Sequence, residues 1–242
     1  LNSPTGVIEE PDVGVHEVQL SDAELTGSLA SNYYYDGMDG VTVTITTAQL
    51  GEIAVEVYDE NAIYNKQEQM PEVTVTNGGE VLDPEHYTLS YSNNVNARES
   101  TADNAPTVTV TFVKGGNYGS ATDDTVYTQK FTIHPKPVTI SGITVSDKTY
   151  DGGTSATPNY SGIDWTACGM EDGDTLSVTC EADFADKNVG ADKAVNIKNL
   201  ALGGESASNY ALAESGQQST TTGTITQKPV SVTWSDTTLT YN

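Results

Sequence analysis

Short runs of alternating apolar and polar residues occur along the whole chain and predict β-strands. The clearest runs, residues 41–45, 73–76 and 108–112, place valine, isoleucine or phenylalanine at every second position with threonine between them. Because successive side chains of a strand point to opposite faces, each run would have one apolar and one polar face. β-Branched residues also fit a pleated sheet better than a helix. These runs predict half-buried strands of antiparallel sheets.

Clusters of turn-forming residues separate these runs. They are rich in Gly, Asn and Asp, which accept the backbone angles that tight turns need, and they include residues 77–79, 114–117, 151–153 and 171–174. The best helix candidate, residues 59–69, is short and lacks an apolar stripe over three turns. Many short strands punctuated by turns predict an all-β fold of two-sheet sandwiches.

Three short elements recur along the chain in a fixed order, as expected for copies of one structural unit. We name them the Asn-Val element, the Asn-Tyr element and the Tyr-Asn element. The Asn-Val element stands at 11–14, 93–96 and 187–190, the Asn-Tyr element at 31–33, 116–118 and 208–210, and the Tyr-Asn element at 63–65, 149–151 and 240–242. The Asn-Tyr copies lie 85 and 92 residues apart.

The recurrence predicts where modules begin and end. Residues 1–52 match the C-terminal half of a module, 53–135 and 136–228 are complete modules, and 229–242 match the first strand of a further one. Lys136-Pro137-Val138 recurs as Lys228-Pro229-Val230 at two of these junctions, and a proline at the start of a strand stiffens a joint. We expect tandem Ig-like antiparallel β-sandwich modules in an elongated array, with β-grasp-like modules as the alternative.

The recurring tyrosines have two interpretations. A tyrosine just after a turn can be buried with its hydroxyl bonded to backbone, or it can form a platform on which a sugar stacks. Because these tyrosines recur in every copy, the structural role is favoured for the six landmarks Tyr33, Tyr118, Tyr210, Tyr64, Tyr150 and Tyr241. Aromatic residues that do not recur are the better glycan-binding candidates, and they are Trp165, Trp234 and Tyr34.

Charge and hydropathy exclude several kinds of partner. The formal net charge is −24, which disfavours nucleic acid and anionic membranes because both are negatively charged. No apolar run reaches the roughly 18 residues that a membrane-spanning helix needs, so no membrane insertion is expected of this fragment. The start of the chain also lacks the basic and apolar segments of a signal peptide.

Cysteine and acidic residues leave two questions open. Cys168 and Cys180 could form a disulfide in an oxidising compartment, or both could remain free thiols. The acidic turns at 36–40, 171–174 and 183–186 could bind Ca²⁺ and stiffen the modules, although none has EF-hand spacing. The three histidines are scattered and do not have the spacing of zinc ligands. No other cofactor is expected.

The sequence carries no motif of catalysis. There is no Gly-x-Ser-x-Gly elbow, no Ser-x-x-Lys pair and no phosphate-binding glycine loop, and function must be argued from a site. We therefore expect a protein that is not an enzyme.

Four motifs in residues 136–228 resemble the YDG type of repeat domain, which is related to the MBG type. They are Lys148–Thr154 (KTYDGGT), Asp183–Gly190 (DFADKNVG), Ser208–Tyr210 (SNY) and Ile225–Pro229 (ITQKP). Residues 53–135 diverge from this pattern and resemble Ig-like surface repeats of Gram-positive bacteria. The resemblance implies extracellular display on bacterial surface proteins and adhesins, and it carries no catalytic residues.

Two functions follow as expectations. The first is a stalk or adhesin segment of a bacterial cell-surface protein that spaces or presents a binding region, with neighbouring repeats of the same protein as its partners. The second is a module that binds carbohydrate or host glycans and assists an enzyme elsewhere in the protein. Neither identifies the extracellular protein or glycan ligand.

Overall fold

The computed structural model describes residues 5–8, 12–21, 29–32, 41–120 and 122–233. These residues form two compact units. The first comprises 1–61, 70–94 and 99–132, and the second comprises 62–69, 95–98 and 133–242. Most of the ordered secondary structure is strand, which confirms the all-β prediction. Within the described residues the helical segments are three short 3₁₀ turns, Ala30–Asn32, Pro84–His86 and Ala207–Asn209.

The described residues of the first unit form ten strands: β1 (Thr5–Val7), β2 (Gly14–Glu17), β3 (Gln19–Ser21), β4 (Thr42–Ile45), β5 (Ile53–Tyr58), β6 (Glu72–Asn77), β7 (Glu80–Val81), β8 (Thr88–Ser92), β9 (Thr107–Phe112) and β10 (Thr125–Lys130). They pair antiparallel in two three-stranded sheets, β5-β6-β7 and β10-β9-β8, and two two-stranded sheets, β1-β3 and β2-β4. The alternation along β9 buries Val108, Val110 and Phe112 on one face.

The core of the first unit lies between the two three-stranded sheets. Its buried members come from β6, β9 and the segment around the second 3₁₀ turn, and they are Val75, Leu82, Tyr87, Val110 and Phe112. The residues 59–69 contain turns and one isolated bridge rather than a helix, in agreement with the weak helical pattern.

Up to residue 233, where its description ends, the second unit forms eight strands: β11 (Lys136–Val138), β12 (Thr144–Ser146), β13 (Lys148–Thr149), β14 (Thr157–Asn159), β15 (Ser177–Phe184), β16 (Gly190–Gly203), β17 (Tyr210–Leu212) and β18 (Thr220–Thr226). The order β13-β18-β16-β15 forms a four-stranded sheet, and β11-β17 and β12-β14 form two-stranded sheets. Its core cluster is Ala156, Ala182, Phe184, Val195 and Ile225.

Among the described strands two pairs are parallel, which differs from the predicted antiparallel sandwich modules. β11 pairs in parallel with β17, and β13 pairs in parallel with β18. The alternation of side chains is the same along parallel and antiparallel strands, so it could not distinguish the two. The direction of pairing is set by residues that are far apart in sequence.

The Tyr-Asn elements at 63–65 and 149–151 make the same backbone contacts. The Tyr64 N–H donates to the His134 carbonyl, and the Tyr150 N–H donates to the Thr226 carbonyl, each over 2.9 Å. Ile63 faces His134, and Thr149 faces Thr226, in parallel register. Each tyrosine thus follows a residue that bridges in parallel to the C-terminal part of its own predicted module. The boundaries at 52/53, 135/136 and 228/229 stay predictions.

Candidate functional site

Two asparagines of Asn-Tyr elements make the same pair of side-chain contacts. Asn209 Oδ1 accepts from the Ala97 N–H over 2.9 Å, and its Nδ2 donates to Asn96 Oδ1 over 3.2 Å. Asn117 Oδ1 accepts from the Val13 N–H over 2.9 Å, and its Nδ2 donates to Asp12 Oδ1 over 2.7 Å. In both places the partner lies in or beside an Asn-Val element, more than 100 residues earlier. We call this arrangement the asparagine clamp.

Local backbone structure presents each clamp asparagine. Asn209 ends a 3₁₀ turn in which its N–H donates to the Ser206 carbonyl over 2.9 Å. Asn117 lies between Gly115 and Gly119, whose φ angles of 72° and 98° belong to the left-handed region that glycine tolerates best. Because each turn holds the asparagine at the end of a short loop, its amide can reach a loop distant in sequence. An amide side chain both donates and accepts, so one residue satisfies two partners.

A polar cluster surrounds Tyr210, the residue after the clamp asparagine of the second unit. The Asp174 carboxylate accepts from the Tyr64 hydroxyl over 2.8 Å and from the Tyr210 hydroxyl over 2.5 Å. The Lys66 ammonium lies 3.1 Å from its other oxygen. The two tyrosine rings meet edge to face, with centroids 5.4 Å apart. We call these four residues the Asp174 cluster.

The Asp174 cluster is nearly closed to solvent. Tyr64 and Tyr210 are 3% and 5% exposed, and the Asp174 side chain is 7% exposed. A buried carboxylate is tolerated when its oxygens are paired and hydrogen-bonded, and here three donors meet two oxygens. Lys66 is the member that reaches solvent, with 36% of its side chain exposed.

The loop from Glu171 to Asp174 is fixed by further contacts. The Glu171 N–H donates to the Tyr210 hydroxyl over 2.9 Å, and its carboxylate forms an ion pair with Lys136. The Lys66 ammonium also donates to the Asp172 carbonyl over 2.8 Å. The backbone of this loop is therefore hydrogen-bonded to two members of the cluster, Tyr210 and Lys66.

The environment shifts the pKa values of the cluster in opposite directions. Burial, together with the hydrogen bond to Asp174, raises the pKa of Tyr64 to about 12, and the same causes raise the pKa of Tyr210. Burial alone would raise the pKa of Asp174, but the hydrogen bonds from Tyr210 and Tyr64 and the Lys66 ammonium outweigh it and lower this pKa. The cluster thus holds an ionised carboxylate between two neutral phenols at neutral pH, an arrangement suited to fixing the position of Tyr64.

An open cleft lies beside the clamp of the first unit. It has two adjoining parts of about 330 and 370 Å³. Asp12, Val13, His86 and Asn117 line both parts; Glu85 lines one, and Ile45, Thr46, Ala48 and Tyr118 line the other. The rings of His86 and Tyr118 lie 4.9 Å apart between centroids. The cleft combines aromatic rings with carboxylate and amide groups.

The landmark tyrosines have different environments. Tyr64 and Tyr210 are buried, Tyr118 and Tyr150 are half-buried, and Tyr150 packs against the core of the second unit. Tyr33 and Tyr241 lie outside the described residues. Of the candidate glycan-binding aromatics, Trp165 is half-buried in the turns that follow β14, and Trp234 and Tyr34 lie outside the described residues.

Cys168 and Cys180 are unpaired in the structure, and the disulfide between them stays a prediction. Cys168 is buried, and its backbone carbonyl accepts a hydrogen bond from the Thr139 N–H. Cys180 lies on β15, where its sulfur is 3.7 Å from the Tyr160 hydroxyl. The two residues thus pack against different partners, which spacing in sequence did not show.

The acidic turns are occupied by protein donors where the structure describes them. Asp174 belongs to the cluster above, and Asp186 accepts from Lys193 over 2.7 Å and from the Asn188 N–H over 2.8 Å. In the described part of the chain no group of three or more His, Cys, Asp or Glu side chains is arranged to hold a metal ion. The turn at 36–40 lies outside that part.

Sequence reasoning missed Asp174, Lys66 and the clamp partners. It took residues 171–174 as an acidic turn that could bind Ca²⁺, whereas Asp174 accepts a hydrogen bond from a tyrosine 110 residues away. The available signal was the asparagine that precedes the tyrosine in every Asn-Tyr element. An invariant amide beside a turn indicates a partner, but it does not say which residue the partner is.

One comparison with known families gives a match. The family model described as the YDG domain matches residues 134–222, which confirms the YDG resemblance for this part of the chain. No match was found among curated proteins or among solved structures. The described residues contain no helix that is both long and apolar enough to cross a membrane.

Proposed function

We propose that this chain is a non-catalytic structural segment of a bacterial cell-surface protein. It would be a stalk or adhesin segment, built as an extracellular elongated array of tandem Ig-like β-sandwich modules, that spaces or presents a binding region. Its partners would be the neighbouring repeats of the same protein and an extracellular protein or glycan ligand.

The asparagine clamp is the observation that carries this proposal. Asn117 and Asn209 occupy the same place in successive predicted modules, and each bonds the Asn-Val element of the module before it. Nothing in a catalytic or ligand-binding role requires the same contact at each successive module. A tandem array requires this repeated contact, because each joint between successive modules is built from the same elements.

The Asp174 cluster supports the same role. Its tyrosine Tyr64 and lysine Lys66 come from predicted module 53–135, whereas Asp174 and Tyr210 come from 136–228. Burial of both rings and of the carboxylate restricts the motion of the joint. A stiff joint holds a distal binding region away from the surface better than a flexible linker does.

The matched variants Asn209→Ala and Asn104→Ala test the proposal. Asn209 is buried in the clamp, and Asn104 is an exposed turn residue of predicted module 53–135. We expect Asn209→Ala to lower the stability of residues 95–98 and 207–212 against hydrogen exchange by about 1–3 kcal/mol, and to broaden the distance distribution in small-angle X-ray scattering. Asn104→Ala should change neither.

Two results would contradict the proposal. One is an Asn209→Ala variant that matches Asn104→Ala in both measurements, since the clamp would then not hold a joint. The other is specific binding of the chain on a glycan array that a Trp165→Ala variant loses, which would favour the glycan-binding alternative.

A further inference from the structure

We propose that Asn77-Gly78 is a latent deamidation site, which two hydrogen bonds keep unreactive and which reacts when the end of β6 opens. It is the one Asn-Gly sequence of the chain. Glycine after asparagine favours deamidation, because no side chain hinders the main-chain nitrogen that attacks the amide. The reaction requires water and no other reagent. The site belongs to the first unit and is independent of the proposed array.

Deamidation passes through a cyclic imide. The Gly78 main-chain nitrogen forms a bond to the Asn77 side-chain carbon Cγ, the bond from Cγ to Nδ2 breaks, and the proton of the Gly78 N–H leaves with Nδ2 as ammonia. One water then opens the imide at either carbonyl and leaves aspartate or isoaspartate. Ring closure therefore needs a Gly78 N–H that can lose its proton and an Asn77 amide that can turn toward it.

The segment just before β5 holds both reacting groups. The Gly78 N–H donates to the Glu52 carbonyl over 2.8 Å, and the Gly51 N–H donates to Asn77 Oδ1 over 2.8 Å. The first contact hands the proton of the attacking nitrogen to a peptide carbonyl, which is not a base that can remove it. The second contact keeps the amide turned toward Gly51. While both last, the nitrogen and the carbon that must join are bound elsewhere.

The position of Asn77 makes a local opening sufficient. Asn77 is the last residue of β6 and pairs with Ile53, the first residue of β5. Asn77 is half-buried, whereas Gly51, Glu52 and Gly78 are exposed. Exposed hydrogen bonds at the end of a ladder open at a lower free energy than those of the core. Separation of residues 51–52 from the end of β6 would release both groups in one event.

The reaction would turn a brief opening into a permanent change. Gly78 and Gly79, with φ angles of 60° and 90°, form the two-residue turn that pairs Asn77 with Glu80. Isoaspartate adds a carbon to the backbone at the start of this turn, and the register of a hairpin depends on its loop length. Either product also adds a negative charge opposite the exposed Glu80.

Peptide mapping of the full chain by mass spectrometry measures the deamidation rate at Asn77. We expect the folded wild type to react at least about tenfold more slowly than the urea-unfolded chain, because only the open fraction reacts. Gly51→Pro removes the N–H that holds the Asn77 amide. It should speed the reaction of the folded chain by about two- to tenfold, the factor expected for one lost hydrogen bond. Hydrogen exchange of the Gly78 N–H should accelerate by the same factor, since one opening controls both.

Two further variants separate local opening from a general loss of stability. Gly223→Ala crowds the core of the second unit and should leave the rate at Asn77 unchanged. If Gly51→Pro disturbs the fold of the first unit, Gly51→Ala takes its place. Its new Cβ would lie 3.2 Å from Asn77 Oδ1, so it displaces the amide while the backbone N–H remains.

Three results would overturn the inference. One is a folded wild type that deamidates at Asn77 as fast as the unfolded chain, since the hydrogen bonds would then give no protection. Another is a folded Gly51 variant that keeps the wild-type rate. The third is a Gly223→Ala variant that reacts as fast as the Gly51 variant, which would show that general unfolding rather than the end of β6 controls the reaction.

Discussion

The Asn-Tyr elements of the two units differ in what lies against them. In the second unit Asn209 and Tyr210 are buried beneath Tyr64, whereas in the first unit Asn117 and Tyr118 are half-buried beside an open cleft. Both asparagines nevertheless form the clamp. The clamp therefore forms both in a buried and in a half-buried setting, from the Asn-Tyr and Asn-Val elements alone.

The cores of the two units differ in a similar way. Phe131 precedes Ile133 by two residues and is 1% exposed, and at the corresponding position before Ile225 the chain has Gly223. A Cβ at Gly223 would lie 3.1 Å from the ring of Phe184, which comes from β15. In the second unit the space over this glycine of β18 is thus filled by a ring from β15.

Removing the carboxylate of the Asp174 cluster should produce the largest difference between the units. We expect Asp174→Ala to destabilise the second unit by about 2–4 kcal/mol, because two buried hydroxyls and an ammonium lose their acceptor. Glu85→Ala, the matched change in the first unit, removes an exposed carboxylate and should cost less than about 0.5 kcal/mol. Urea unfolding followed by hydrogen exchange in each unit measures both. If both variants lost the same free energy of unfolding, the Asp174 carboxylate would contribute no more to stability than the exposed Glu85 carboxylate does.

Adding one methyl group at Gly223 should test the difference between the cores. The new Cβ would lie 2.6 Å from Val145 Cγ2 and 3.1 Å from the Phe184 ring, so we expect Gly223→Ala to destabilise the second unit by about 1–3 kcal/mol. Gly153→Ala is the control, because its Cβ would meet its nearest neighbour at 3.5 Å and Gly153 lies in an exposed turn. Thermal unfolding of both variants gives the comparison. A stable Gly223→Ala variant would mean that the core relaxes around the methyl group.

Alkaline pH should weaken the second unit through Tyr64. Its pKa is about 12 in the folded chain against 10.0 for an ordinary tyrosine, so its contribution to stability is complete below about pH 10 and is lost as the pH rises toward 12. The Tyr64→Phe variant removes this titration and should show a shallower loss of stability over that range. Urea midpoints of the second unit across about pH 9 to 12 measure the difference. Parallel curves for wild type and variant would contradict the expectation.

Acidic pH should weaken the second unit through Asp174, so that stability is lost as the pH falls rather than as it rises. Because the pKa of Asp174 is lowered below its ordinary 3.8, its contribution is present above that pH and is lost as the pH falls through the folded value. An Asp174→Asn variant should therefore lose stability less steeply than the wild type below about pH 4.

The sequence predicted the parts of the fold that depend on near neighbours. Alternation identified the strand class, and turn residues identified the breaks. The motifs around Asp151 and Asn188 indicated a YDG-type domain over 136–228, and the family model matches 134–222. The parallel pairs β11-β17 and β13-β18 were not predicted, because side-chain alternation carries no information about strand direction. Whether Cys168 and Cys180 form a disulfide was left open for a similar reason, since spacing in sequence does not fix the distance between two residues.

By itself, the sequence determined that this protein is built from strands and that an asparagine and a tyrosine return together in fixed order. Strand propensity and recurrence are properties of residues within a short window, so they can be read without a structure. Only the tertiary structure decided that the Asn209 side chain accepts a hydrogen bond from the Ala97 N–H and that Asp174 joins Tyr64 to Tyr210. Those contacts link residues 36 to 112 positions apart, and they form because folding brings complementary donors and acceptors together where water is excluded.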